Sequence, residues 1–338
     1  MPKHRWKNAL LTAAEAVGAI DLLQKTGRED GQSLYVLAYH RVEAPALNPW
    51  LDPADISATP AQFAAQLELL ACRYHPVALA DVLAAQRGEY SLPRDAVLLT
   101  VDDGYSNFMD EIFPVCARFG IRPLLFLATG CVGSGTYWWD QVYQLIHHSG
   151  QPALDTPAGR FPIGSPEEKA RARRELLFAL KRMPGDQRVD WIGAAYDRFV
   201  RPSANPPRLT LSWDELRALR QAGVDIAPHT HSHPILSQIP LESVRAELRT
   251  SRNLIEHELG ECPPVFALPD GKAISYHQGV IDLLFSSGCA IVFSMLDGRA
   301  RVRPNSAHLL LPRLGVWQGL SLPHFHYRLT PRIDRPTR

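Results

Sequence analysis

Short apolar runs alternate with amphipathic stretches along most of the chain. Ser33 to His40, Val97 to Val101, Pro123 to Thr129, Val224 to Ala227, Val265 to Leu268 and Ala290 to Ser294 are short and predominantly apolar. Runs of that length, rich in branched and aromatic residues, predict strands buried on both faces. Between them the apolar positions recur every third or fourth residue, the period of a helix. Thr59-Pro60 opens one such helix, with Thr as cap and Pro in the first turn, predicted to reach about Tyr74. Asn107 to Phe119 is another. Ser212-Trp213-Asp214-Glu215 is a capping box that starts a helix ending at Ala222. Leu241 to Leu259 is a long helix stopped by Gly260, and Gln278 to Ser287 follows. Repeated strand-to-helix units predict an α/β fold built as a parallel barrel, with functional groups at the C-terminal ends of strands.

Residues 137–211 break this rhythm. They contain no strand pattern, but a charged helix from Glu167 to Met183, a second from Asp186 to Phe199, and a return through Pro202, Pro206 and Pro207. They read as a helical insertion into one strand-to-helix connection. Lys169, Arg171, Arg173, Arg174, Lys181 and Arg182 are most simply a solvated helix face, and an anion site is the alternative. At the other end, Lys3, His4, Arg5 and Lys7 precede an apolar stretch that superficially resembles a secretion signal. Glu15 and Asp21 interrupt it. An amphipathic helix with Leu10, Ala14 and Val17 on one side is the better reading, packed on the domain or, alternatively, lying on a membrane surface. No segment reaches the roughly 18 uninterrupted apolar residues of a membrane span.

Composition narrows the class. With 338 residues the chain can bury a large core. Hydrophobic content of 46% and charged content of 21% are those of an ordinary globular protein. Lys plus Arg is 36 and Asp plus Glu is 35, for a net charge of +1, so nothing favours nucleic acid as a partner. Cys72, Cys116, Cys131, Cys262 and Cys289 are odd in number and have no zinc-ribbon or Cys-x-x-Cys spacing. Thiols kept reduced in a core predict a cytoplasmic protein, with membrane association as the variant.

The chemistry sits at two strand ends. The run Val97 to Val101 finishes in Asp102-Asp103-Gly104. Adjacent residues of a strand point to opposite sides, so the two carboxylates have different tasks: one can bind a metal while the other faces a substrate. A helix cap would account for one Asp only. The run Val224 to Ala227 leads into Pro228-His229-Thr230-His231-Ser232-His233. That places three of the thirteen histidines within five residues. His229 and His233, four apart, can converge on one ion, and with one carboxylate they make a two-His, one-carboxylate set with open positions. His231 reads as a spacer, with a third ligand as the alternative. These residues alone predict a metal-dependent hydrolase.

Thr100-Val101-Asp102-Asp103-Gly104 and His229-Thr230-His231-Ser232-His233 resemble the first two motifs of the polysaccharide deacetylases, the NodB-homology carbohydrate esterases. Ala38-Tyr39-His40-Arg41-Val42, Phe266-Ala267-Leu268-Pro269-Asp270-Gly271 and Leu311-Pro312-Arg313-Leu314 match further segments of that family in order and spacing. The resemblance spans roughly Ser33 to Gln318. It implies a distorted (β/α)7 barrel with a helical insertion. The domain plan is then an N-terminal helix at 1–32, a barrel at 33–325 carrying the 137–211 insertion, and a basic tail at 326–338.

The resemblance also implies roles. Asp103, His229 and His233 would hold a divalent metal, Zn²⁺ by donor type, and Asp102 would be the general base. A backbone N–H near Asp270 would face the oxyanion, and Trp138 and Trp139 would stack on sugar rings. Where many relatives carry an Arg that orients the base, this chain has Phe266-Ala267, and Arg313 is the substitute. For the acid that protonates the amine, His40 at a strand tip is preferred to His324 in Leu322-Pro323-His324. The implied reaction removes N-acetyl groups from amino sugars of a bacterial oligosaccharide, polysaccharide or glycolipid precursor, a hydrolysis of non-peptide carbon–nitrogen bonds. Two alternatives are a deformylase or deacylase acting on a lipid-linked sugar, and a carbohydrate-binding protein with a decayed site.

Overall fold

The computed structural model describes residues 10–330 except 16–17, 21, 23–31, 45–46, 134 and 201–208. Lys3, His4, Arg5, Lys7, Val17, Asp21, the prolines at 202, 206 and 207 and the tail beyond 330 therefore lie outside the described residues.

Seven strand segments form the wall of the domain. They are β1 (Ser33–Tyr39), β2 (Ala96–Asp103), β3 (Leu124–Leu127), β4 (Asp225–Pro228), β5 (Val265–Ala267), β6 (Ile291–Ser294) and β7 (Leu309–Pro312, continued by Leu314–Gly315). The pairs β1–β2, β2–β3, β3–β4, β5–β6 and β6–β7 are all parallel. The last two residues of β7 turn to pair in parallel with β1. Arg313 stands where β7 leaves one neighbour and joins the other. The circuit opens once, since β4 and β5 share no ladder. The sequence supplies a reason: Pro228, Pro263 and Pro264 flank that seam and have no N–H to donate. The observed class is the expected one, a parallel seven-stranded α/β barrel, distorted because it is open at one seam.

Alternation fixes what faces inward. Val36, Leu98, Phe126, Ala267, Phe293 and Leu311 share one apolar cluster, while Tyr35, Leu37, Val97, Leu99, Val101 and Leu125 share another with the helices. On β2, Thr100 and Asp102 continue the inward row. The helices start and stop where their signals stand. Pro60–Arg73 and Trp213–Gln221 both have capping boxes, from Thr59 and Ser212. Leu241–Leu259 ends at Gly260 with φ of 83°. The stretch predicted as one helix from Asn107 is instead a π-helical turn, Phe108–Ile112, before the helix Phe113–Arg118. Pro114 lacks the N–H that a regular helix would aim at the Asp110 carbonyl.

The insertion differs from the reading in one element. Ala153–Thr156 and Gly159–Pro162 form an antiparallel hairpin where no strand was expected. Each arm is four residues long and buries little beyond Leu154, so its pattern is too short to register. The helices Trp138–His148, Pro166–Leu180 and Gly185–Phe199 close over a small core of their own, including Val142, Leu145, Leu176 and Ile192. At the C-terminal end, the helix Leu322–Arg328 crosses the boundary expected at 325. His326 on it is buried, with its Nδ1 2.9 Å from the carboxylate of Glu15 in the helical stretch at residues 10–15. No described helix is long and apolar enough to cross a membrane.

Candidate active site

The C-terminal ends of β1, β2, β4 and β5 meet at one pocket of about 350 Å³, whose lining includes His40, Asp102, Asp103, His229, His233 and Asp270. β2 delivers the two carboxylates differently. Asp102 keeps the inward direction of the strand. Arg313 grips it at two points, Nη1 to Oδ1 at 2.7 Å and Nη2 to Oδ2 at 2.8 Å. The same guanidinium donates to Thr100 Oγ1 at 3.2 Å and lies 5.4 Å from the centre of the Phe126 ring. Burial alone would raise the pKa of Asp102, but the charge of Arg313, then His229 and the Arg313 hydrogen bonds, bring it down to about 2. Asp102 is therefore ionised at any ordinary pH.

Asp103 leaves the strand geometry with φ of 76°, a left-handed turn that Gly104 continues at 84°. The Tyr137 hydroxyl donates to the Asp103 carbonyl at 2.6 Å and holds this turn. The carboxylate then faces β4. Its Oδ1 is 3.7 Å from His229 Nε2 and 3.4 Å from His233 Nε2, and it is buried with no hydrogen-bond partner. Burial, then the charge of Asp102, pushes its pKa well above the usual carboxylate range.

The open seam orients the first histidine. His229 Nδ1 lies 2.8 Å from the carbonyl of Ala267 on β5, so it carries the proton and leaves the Nε2 lone pair toward Asp103. His233 takes φ of 54° after Thr230 at 69°, and its N–H donates to Thr230 Oγ1 at 3.0 Å. Its ring is packed edge-on against Trp139 at 4.7 Å and His229 at 4.8 Å. Burial lowers both pKa values, to about 4 for His229 and well below 6.5 for His233. Both rings are neutral at pH 7, the form that binds metal. One ligand atom from each of Asp103, His229 and His233 lies within 4.8 Å of the other two. An orphaned buried carboxylate oxygen facing two free imidazole nitrogens suits a borderline divalent ion. His231 turns away, with Nδ1 3.0 Å from Thr129 Oγ1.

The remaining residues surround this centre. His40 follows β1, with Nε2 4.0 Å from Asp102 Oδ2 and a third of its side chain exposed. Trp138 and Trp139 form one wall. Asp270, at φ of 56°, accepts from Lys181 Nζ at 2.6 Å and from Ser275. Burial would raise its pKa, but Lys181, Ser275 and Lys272 hold it below the usual value. Arg313 lies behind the pocket wall, fully buried. His324 is not part of the lining; it packs against Trp317 at 5.9 Å. Asp55 and Leu177 line the pocket without any sequence signal, and Arg173 and Lys181, read as part of a solvated helix face with an anion site as the alternative, line it too. Glu247 was also missed. It accepts the N–H groups of His231 and Ser232 at 2.7 and 2.8 Å and so fixes the histidine loop.

The sequence profile of the family described as polysaccharide deacetylase matches residues 89–284. Over 83 residues the chain is 37% identical to the poly-beta-1,6-N-acetyl-D-glucosamine N-deacetylase of Escherichia coli (strain K12), covering 25% of this chain but only 12% of that protein's length. The fold is similar to that of Streptococcus pyogenes deacetylase PplD in complex with acetate, with a TM-score of 0.58, 16% identity, and coverage of 89% of this chain and 99% of that one. IcaB from Ammonifex degensii gives a TM-score of 0.57 at 19% identity, again covering 89% and 99%. The deacetylase domain of BpsB from Bordetella bronchiseptica gives 0.51 at 19% identity, covering 86% and 98%.

Proposed function

Because the chain belongs to the polysaccharide deacetylase family, we propose that it hydrolyses the N-acetyl groups of amino sugars in a polysaccharide or glycolipid precursor. The observation that carries this reading is the pairing of two unlike carboxylates at one strand tip. Asp102 is clamped and ionised by Arg313, while Asp103 is free to join His229 and His233. Asp103, His229 and His233 would hold one divalent ion, Zn²⁺ by their donor types. Such an ion supplies Lewis acidity toward the acetyl oxygen and a lowered pKa for the attacking water.

The other steps belong to the chain. Asp102 accepts the proton of the water as it attacks the acetyl carbon. Its low pKa means that it holds that proton only in passing. A backbone N–H near Asp270 steadies the oxyanion. His40 gives a proton to the departing nitrogen, so water and the amide become acetate and a free amine. Trp138 and Trp139 offer flat apolar surface to the sugar rings. The polymer named for the Escherichia coli relative, poly-β-1,6-N-acetyl-D-glucosamine, is the first substrate to test. Zinc-loaded protein incubated with oligomers of it should release acetate and an equal quantity of free amine. Release of formate from a formylated analogue, with none of acetate, would instead support the deformylase alternative.

A further inference from the structure

The carboxyl of Asp55 lines the pocket and has no task in this mechanism. It ends the short helical turn Pro53–Asp55. Asp52 caps that turn, accepting the Ala54 N–H at 3.0 Å on its side chain and the Asp55 N–H at 3.2 Å on its carbonyl. Asp52 is itself anchored. Its carbonyl accepts from Arg41 at 2.8 Å, its N–H donates to Asp140 at 2.9 Å, and its carboxylate pairs with Arg173. The strand Ile56–Ala58 begins directly after the turn, and Ser57 Oγ accepts the His40 N–H at 2.9 Å. The backbone around Asp55 is therefore fixed on both sides.

Its side chain is not satisfied. Oδ2 is buried and has no hydrogen-bond partner. Asp52 and His40 both act on its charge, and its own charge reaches Asp103 and Asp140, so it stands close to the reacting centre. Arg41 and Arg173 are near enough to act on it, but Arg41 donates to the Asp52 carbonyl and pairs with Glu43, and Arg173 pairs with the Asp52 carboxylate. A buried oxygen left unpaired is destabilising unless something pairs with it. Asp55 is one of the residues that line the pocket.

We propose that Asp55 is a substrate-binding residue whose carboxyl pairs with a hydroxyl of the sugar that carries the acetamido group. A hydroxyl both donates and accepts, so it suits the carboxyl in either protonation state. This inference rests on the deacetylase reading, and it adds a contact that selects a sugar over a simple amide. Asp55→Asn keeps an acceptor oxygen and adds N–H donors, so it can still pair with a hydroxyl.

The test is calorimetric titration of zinc-loaded protein with a pentamer of N-acetylglucosamine, using wild type, Asp55→Ala and Asp55→Asn. Metal content and melting temperature are measured on the same samples. Asp55→Ala should weaken binding about fivefold to tenfold, the worth of one hydrogen bond to an uncharged group. It should keep its ion and melt no lower than wild type, and Asp55→Asn should recover most of the affinity. An Asp55→Ala protein that binds like wild type overturns the proposal. So does one whose affinity falls only along with metal content or melting temperature, which is the behaviour of a structural residue, and so does a wild type that binds no pentamer. Hydrolysis of a small acetyl ester separates the two levels. Wild type that cleaves neither ester nor pentamer contradicts the deacetylase reading, whereas cleavage of both with unaltered Asp55→Ala affinity contradicts the Asp55 assignment alone.

Discussion

Arg313→Ala would remove both hydrogen bonds that clamp Asp102, at 2.7 and 2.8 Å, and leave that carboxylate 2% exposed without its cation. In the wild type the pKa of Asp102 falls from 3.8 to about 2. At 1.36 kcal/mol per unit this is roughly 2 kcal/mol of stability. The sign follows from a lowered carboxylate: the contribution is present above the unfolded pKa of 3.8 and is lost as pH falls toward 2. In the variant, burial is no longer opposed by the guanidinium. Asp102 then titrates above its ordinary value, and stability is gained as pH falls through that raised pKa. Breaking a buried pair costs about 3–5 kcal/mol at neutral pH. The gap between the two proteins should therefore be widest near pH 7 and narrow toward pH 4. Urea midpoints of the metal-free proteins at both values read this directly, and the groups they share cancel to first order. A gap that is constant, or that widens on acidification, would show that Arg313 does not hold the Asp102 carboxylate ionised. Arg313→Lys restores charge but not the two-point grip, so it should recover stability more than turnover.

Three further outcomes follow from the geometry. His40→Ala should lower turnover on the order of 10²–10⁴-fold while leaving metal content intact, by acetate release and metal analysis; a near-normal rate would remove His40 from the acid role. Gly104→Ala places a Cβ 2.5 Å from Leu127 Cδ1 at φ of 84°. It should cost about 1–3 kcal/mol by urea denaturation and weaken zinc affinity through the Asp103 turn; unchanged affinity would show that the turn does not position the ligand. Lys181→Ala frees Asp270 from the insertion helix. It should raise KM for a long oligomer more than for a small acetyl ester, at a stability cost of about 1 kcal/mol for a partly exposed pair. Equal effects on both substrates would make the insertion a scaffold and not a substrate wall.

Much of this was legible because the sequence keeps it local. Asp102 and Asp103 are neighbours on a strand tip, and His229 and His233 share one short loop. The periods of β2 and of the capped helices are clean. What was hidden depends on distance or on weak patterns. The resemblance names Arg313 as the orienting residue, but its two-point grip was not readable, because it requires β7 to change partners midway, from β6 to β1. Asp55 stands in a loop with no period at all. Lys181 looks like any solvated lysine on a charged helix until it meets Asp270, 89 positions away. Glu247 likewise reads as a surface residue, yet it carries the histidine loop. Asp103 could be separated from Asp102 by alternation, but not its left-handed turn, which depends on Tyr137.

The division of labour within Asp102-Asp103 is the centre of the account, and one paired measurement tests it. Metal content and acetate release are determined for zinc-loaded wild type, Asp102→Asn and Asp103→Asn, with a His229→Ala, His233→Ala double variant as the control without imidazole ligands. Wild type should hold one zinc per chain and release acetate. Asp102→Asn should hold the same zinc and release almost none, while Asp103→Asn and the histidine variant should lose most of both. Full zinc occupancy in the histidine variant, or zinc lost from Asp102→Asn and kept by Asp103→Asn, would contradict it.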